Sequence, residues 1–136
     1  MLMTMTTPTT TTHQLGELQL AIMQILWQRG EASAADVHAA LYEERGLAFT
    51  TIATMLAKME QKGVVAHRAE GRKFIYRPLV SESEVRRSMV DELRDRLFGG
   101  NVTELVSHLL STNDLDPTEL ARLKSLIAAQ EKKQHD

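Results

Sequence analysis

Cysteine is absent from the 136 residues, which removes disulfides, thiolate nucleophiles, iron-sulfur clusters and cysteine-based metal sites together. Long apolar runs are missing too: none reaches the ~18 residues that would suggest a membrane-spanning helix, and no basic segment leads into an apolar one near the start. Both absences point to a cytoplasmic protein. The chain also has no phosphate-cradling glycine loop, no nucleophile with an obvious base and no ligand pair of recognisable metal spacing, so neither enzyme activity nor a cofactor is expected. Its histidines (His13, His38, His67, His108 and His135) are scattered; a metal site would have to assemble across two chains.

What is present is enough for one core with a smaller appended unit: 43% of the residues are hydrophobic, and a large multidomain enzyme is excluded at this length. The net charge of −2 conceals an asymmetry. Residues 1–46 carry a charge of −3, residues 47–77 carry +4 and residues 78–136 carry −3. A positive middle between negative flanks is a local footprint for a polyanion.

Residues 1–12 form a Thr-rich segment with too few apolar groups to offset the entropy of ordering, and a disordered tail is expected there. From Leu15 the pattern changes. Leu15, Leu18, Ile22, Ile25 and Leu26 recur at helical spacing, with Gly30 as a stop and Trp27 read as a packing residue. Ser33 and Asp36 are a cap pair for a second helix with Val37, Ala40 and Leu41 inward and Gly46 at its end. A third helix starts at Phe49 or Thr50 and stops at Gly63, with Ile52, Leu56 and Met59 on its core face. Two strands follow at about residues 64–68 and 73–79, around the turn Ala69-Glu70-Gly71-Arg72, with Phe74 and Tyr76 on one face. Three helices and a hairpin in this order make a winged helix, assigned to residues 13–80.

Residues 81–136 read as helical throughout. Ser81 with Glu84, Asn101 with Glu104, and Asp116-Pro117-Thr118-Glu119 each announce a helix start, and Gly99-Gly100 separates the first of these helices from the second. The apolar stripes are Val85, Met89, Val90, Leu93 and Leu97 in the first, Val102, Leu105, Val106, Leu109 and Leu110 in the second, and Leu120, Leu123 and Ile127 in the third. Three such helices have little core of their own, so the stripes are expected to pair with those of a second chain. The expected fold class is mainly α with a small β-hairpin wing: a winged helix-turn-helix followed by a three-helix dimerisation region.

The order and spacing of LGELQLAIMQILWQRGEASAADV, TTIATMLAKMEQKG, AEGRKFIYRPLVS, and FGG followed by DPTELARLKSLI resemble the BlaI/MecI/CopY, or penicillinase-repressor, family of bacterial repressors over about residues 15–129. The resemblance implies an N-terminal winged helix that binds operator DNA and a C-terminal part that holds a homodimer. It also implies a switch. In the antibiotic-resistance branch a regulatory protease system leads to cleavage of an Asn-Phe bond, whose place here is taken by His108-Leu109; the cysteines used by the copper-responsive branch are absent.

In a helix-turn-helix the third helix enters the major groove with its N-terminal turns nearest the bases, so Thr50, Thr51 and Thr54 are the candidate readers. Thr50 could instead cap the helix. Ala53 departs from relatives that carry a longer basic residue there. Lys58 on the helix is expected at phosphate rather than base, and Arg68, Arg72 and Lys73 on the wing at phosphate or the minor groove. His67 is read as a surface strand residue and His108 as interfacial packing. The expected function is a homodimeric repressor on a pseudo-palindromic double-stranded operator, with a protein-interaction module for an acidic partner, or a histidine-based metal-responsive repressor, as alternatives.

Overall fold

Residues 15–135 are described by the computed structural model. The Thr-rich stretch 1–12 and His13 lie outside the described residues. Helix α1 (Glu17–Arg29) leads through β1 (Ala32–Ser33) into α2 (Ala34–Arg45) and α3 (Phe49–Lys62). The hairpin β2 (Val65–Glu70) and β3 (Lys73–Pro78) follows, and then α4 (Glu82–Phe98), α5 (Val102–Thr112) and α6 (Pro117–His135). The chain divides into two compact units, the first ending at Glu92 and the second beginning at Leu93.

In the first unit the apolar stripes converge. Ile22, Met23 and Leu26 of α1 meet Val37 and Leu41 of α2, the three core residues of α3, and Val64, Val65 and Tyr76 of the hairpin region. Ala40 was expected inward but is exposed; one residue before Leu41, it is turned ~100° away on a helix of 3.6 residues per turn. The Ser33–Asp36 capping box closes as expected, each backbone N–H donating to the other's side chain at 3.1 Å. Hydrogen bonding from Ser33 holds the Asp36 carboxyl below its ordinary value.

The sheet runs in the order β1-β3-β2, antiparallel throughout. Strand β1 has only two residues, too short for any periodicity to reveal; it pairs Ala32 with Tyr76 and Ser33 with Ile75. In the hairpin, pairing persists to Glu70 opposite Lys73, so the loop is Gly71-Arg72, one residue beyond the expected turn. Gly71 has φ 64° and, among the described residues, no non-glycine residue has positive φ, the pattern of a II′ turn with glycine first. Trp27 packs against the core while its indole N–H donates to the Val80 carbonyl at 2.9 Å, tying α1 to the segment before α4. Val85 of α4 is buried in this same core and Met89 packs against it.

The second unit differs in kind. Its helices are capped as expected: the Glu104 N–H donates to Asn101 Oδ1 at 3.0 Å and the Glu119 N–H to Asp116 Oδ1 at 2.8 Å. Yet neither α5 nor α6 has a buried residue. Leu97 is 70% exposed, Leu126 65% and Ile127 58%.

Because Leu26 is fully buried and Ser33 only caps a helix, the two should differ in urea unfolding. Leu26→Ala should cost ~2–5 kcal/mol, against ~1 kcal/mol for Ser33→Ala.

Candidate nucleic-acid interface

Helix α3 buries Ile52, Leu56 and Met59, which turns the opposite side to solvent. Thr50, Thr51, Thr54 and Lys58 are all exposed. Thr50 and Thr54, four residues apart, stack along one line, and Ala57 and Gln61 continue it at the next three- and four-residue steps. Gln61 is not among the expected readers although this spacing places it on their line, and its amide could pair with the two polar edge atoms of adenine.

Thr50 is not the cap of α3. Ala48 occupies that position, makes no side-chain cap hydrogen bond, and no acidic residue follows in the first turn. The N–H groups of Thr51 and Ile52 reach the Ala48 carbonyl at 3.1 and 3.3 Å, leaving the hydroxyl of Thr50 unused for capping. An open helix N-terminus carrying no carboxylate favours an anion close by.

The hairpin lies beside this helix. His67 in β2 is within 2.6 Å of Glu60 Oε1 in α3 through Nδ1, and its ring stacks on Phe74 at 4.2 Å. The residue read as a plain surface histidine therefore bridges helix and wing. Arg72, Lys73 and Arg77 are exposed on the hairpin, and Lys58, Arg72, Lys73 and Arg77 make no ion pair among the described residues.

Arg68 is differently placed. One of its amino groups donates to both oxygens of Glu31 at 3.0 and 2.7 Å, and the other to Glu70 at 2.6 Å. Hydrogen bonding to Glu70 and then Glu31 raises the Arg68 pKa, and the guanidinium in turn holds the Glu70 carboxyl below its ordinary 4.5. Two carboxylates already compensate this cation, so its charge is not available in the way that Arg72 and Lys73 are. Sequence pattern could not show the clasp, since Glu31 lies 37 residues away.

The residues expected at a dimer interface separate into two groups. Val85 and Met89 are engaged by the first unit's own core. In the second unit, Leu93, Leu97, Val102, Val106, Leu109, Leu120 and Ile127 are exposed, whereas Leu105 and Leu123 are half-buried. Leu110 and Leu126 are also exposed. Val102, Val106, Leu110 and Ile127 line an apolar groove of about 590 Å³ between α5 and α6. His108 is exposed, its ring 5.8 Å from that of Phe98. His38 hydrogen-bonds the Leu47 carbonyl through Nε2 at 2.9 Å. Among the described residues no group of three or more possible ligands is gathered as a metal site, and no helix is long and apolar enough to cross a membrane.

A family model described as penicillinase repressor matches residues 15–129. The chain is 32% identical over 111 residues to the transcriptional regulator BlaI of Mycobacterium tuberculosis, covering 80% of each protein. It is 25% identical over 114 residues to the penicillinase repressor of Bacillus licheniformis, covering 84% of this chain and 89% of that one. A MarR family protein from Bacillus stearothermophilus has a similar fold, with a TM-score of 0.51 at 16% identity over 91% of this chain and 78% of that one.

The lowered Glu70 pKa carries a sign. Its contribution to stability is present above the carboxyl's unfolded-state pKa and is lost as pH falls through the lower folded value. Side-chain carboxyl NMR should therefore give Glu70 a midpoint below 4.5, and Arg68→Met should move it upward; an unmoved midpoint would show that Arg68 is not the cause.

Proposed function

Since the chain belongs to the penicillinase-repressor family, we propose that it is a sequence-specific transcriptional repressor that binds a pseudo-palindromic double-stranded operator as a homodimer. One observation carries the DNA-binding part: α3 has its apolar stripe fully buried, small polar residues on the opposite face, and an N-terminus without cap side chain or acid. Small hydroxyl and methyl groups let a helix approach base edges closely, and threonine offers both a hydrogen-bonding oxygen and a methyl that can meet thymine. In this reading Thr50, Thr51 and Thr54 face bases, and Gln61 extends the same line. Lys58, Arg72 and Lys73 meet phosphate or the minor groove. Arg68 acts within the wing, holding Glu31 and Glu70 together.

Support for the homodimer comes from the second unit. Fully burying a Leu or Ile contributes roughly 1.5–3 kcal/mol, and α5 and α6 leave theirs uncovered. A second copy supplies the same stripes in return, as a two-fold interface requires. Leu93, Leu97, Val102, Val106, Leu109, Leu120 and Ile127 are the proposed contacts, joined by Leu110 and Leu126. Val85 and Met89 support the first unit instead. The reading includes no proteolytic switch, because His108-Leu109 stands where the resistance regulators have Asn-Phe.

Fluorescence anisotropy with the duplex upstream of the protein's own gene, against a scrambled competitor at near-physiological salt, tests the proposal. The specific duplex should bind ~10³-fold or more tightly; equal affinity for both would count against an operator there. Lys58→Ala should weaken binding to every duplex and reduce the salt slope by about one, whereas Thr54→Val should change base preference with little effect on the slope.

A further inference from the structure

Between the side of α3, the first turn of α2 and the outer part of β3 lies a cleft of about 310 Å³. Its volume is at the lower end of the roughly 300–1,000 Å³ typical of small-molecule sites. Phe49 and Phe74 line it and are each about half exposed, whereas Tyr76, also in the lining, is buried. Ala34 and Ala53 complete the apolar surface; their small side chains leave the space open. Arg72 and Lys73 belong to the same lining.

This combination selects a chemistry. Aromatic walls accept a flat apolar body, and two cations beside them accept a carboxylate through charge-assisted hydrogen bonds. Asp36 and Glu70 interact electrostatically with Lys73, and neither interaction involves Arg72. Glu70 is already held by Arg68, and Asp36 is hydrogen-bonded to the Ser33 backbone. A phosphodiester alone would use the cations and not the exposed parts of Phe49 and Phe74, which otherwise pack on His38 and His67.

We propose that this cleft binds a small aromatic carboxylate of one or two rings, with Phe49 and Phe74 enclosing the ring system and Arg72 and Lys73 meeting the carboxylate. A regulatory consequence rests on the DNA-binding reading above: Arg72 and Lys73 cannot serve the ligand and DNA at once, so ligand and duplex compete.

The test is an amide NMR titration of the full chain with naphthalene-2-carboxylate, with naphthalene-2-carboxamide as the neutral counterpart. Saturable shifts should cluster at Ala34, Ala53, Lys73 and Phe74, with a dissociation constant of about 1 mM or tighter. The carboxamide should bind at least about tenfold more weakly, a difference of ~1.4 kcal/mol. Ala34→Leu, which fills the cleft and leaves both cations, should abolish the clustered shifts, and Ala53→Leu should do the same if the first variant does not fold. Shifts confined to α5 and α6, equal binding of the carboxamide, or full binding by a folded cleft-filling variant would each overturn the site. No DNA is present in that titration, so its outcome does not depend on the repressor reading. In a second arm with bound duplex, the carboxylate should release DNA from the wild type and not from Ala34→Leu. Cleft binding with unchanged DNA affinity would overturn the regulatory consequence.

Discussion

Burial of Ile52, Leu56 and Met59 along one side of α3 sets the direction of every polar group on that helix. All three are at most 1% exposed, so rotating the helix to present another face would expose apolar area worth several kcal/mol. The contacts that hold this side come from α1, α2 and the hairpin region. Those elements therefore serve the orientation of a helix whose outer face they do not touch. Strand β1 and the Trp27 hydrogen bond add to the same end, joining the hairpin and the start of α4 to the three-helix core.

Charge on the outer surface is arranged more finely than the +4 of residues 47–77 suggests. The clasp of Arg68 with Glu31 and Glu70 compensates one cation and ties the base of the wing to the α1–β1 connection. Lys58, Arg72 and Lys73 remain outside such pairs, and the α3 N-terminus has no acidic residue. The His67 bridge between Glu60 and Phe74 joins wing to helix, so the two parts of the surface form one built face. The cleft beside them has aromatic walls as well as cations, and that pairing is the basis for assigning it a ligand rather than phosphate alone.

The two units obey opposite rules of burial. The first closes its core with its own side chains, even drawing in Val85 from α4; the second caps its helices well and leaves most of their leucines exposed. Local features of both were legible in the sequence because their causes are local. Cap residues act three positions away, glycine acts at its own φ, and a helical stripe repeats every three or four residues. The II′ turn was displaced by one residue because Ala69 and Glu70 pair in register despite weak strand propensity. What could not be read joins distant positions: Ala32 to Tyr76, Trp27 to Val80, and Arg68 to Glu31. Ala40 was misplaced because alanine is compatible with either side of a helix, and only Val37 and Leu41 fix the rotation of α2.

The central claim is that two copies each place one α3 in the major groove, joined through their apolar C-terminal helices. Hydroxyl-radical footprinting of the full chain on its bound duplex addresses it directly. The account requires two protected patches related by two-fold symmetry and separated by about one helical turn of DNA, ~10 base pairs, or a multiple of it. A single patch at saturation, or uniform protection without periodicity, would contradict it.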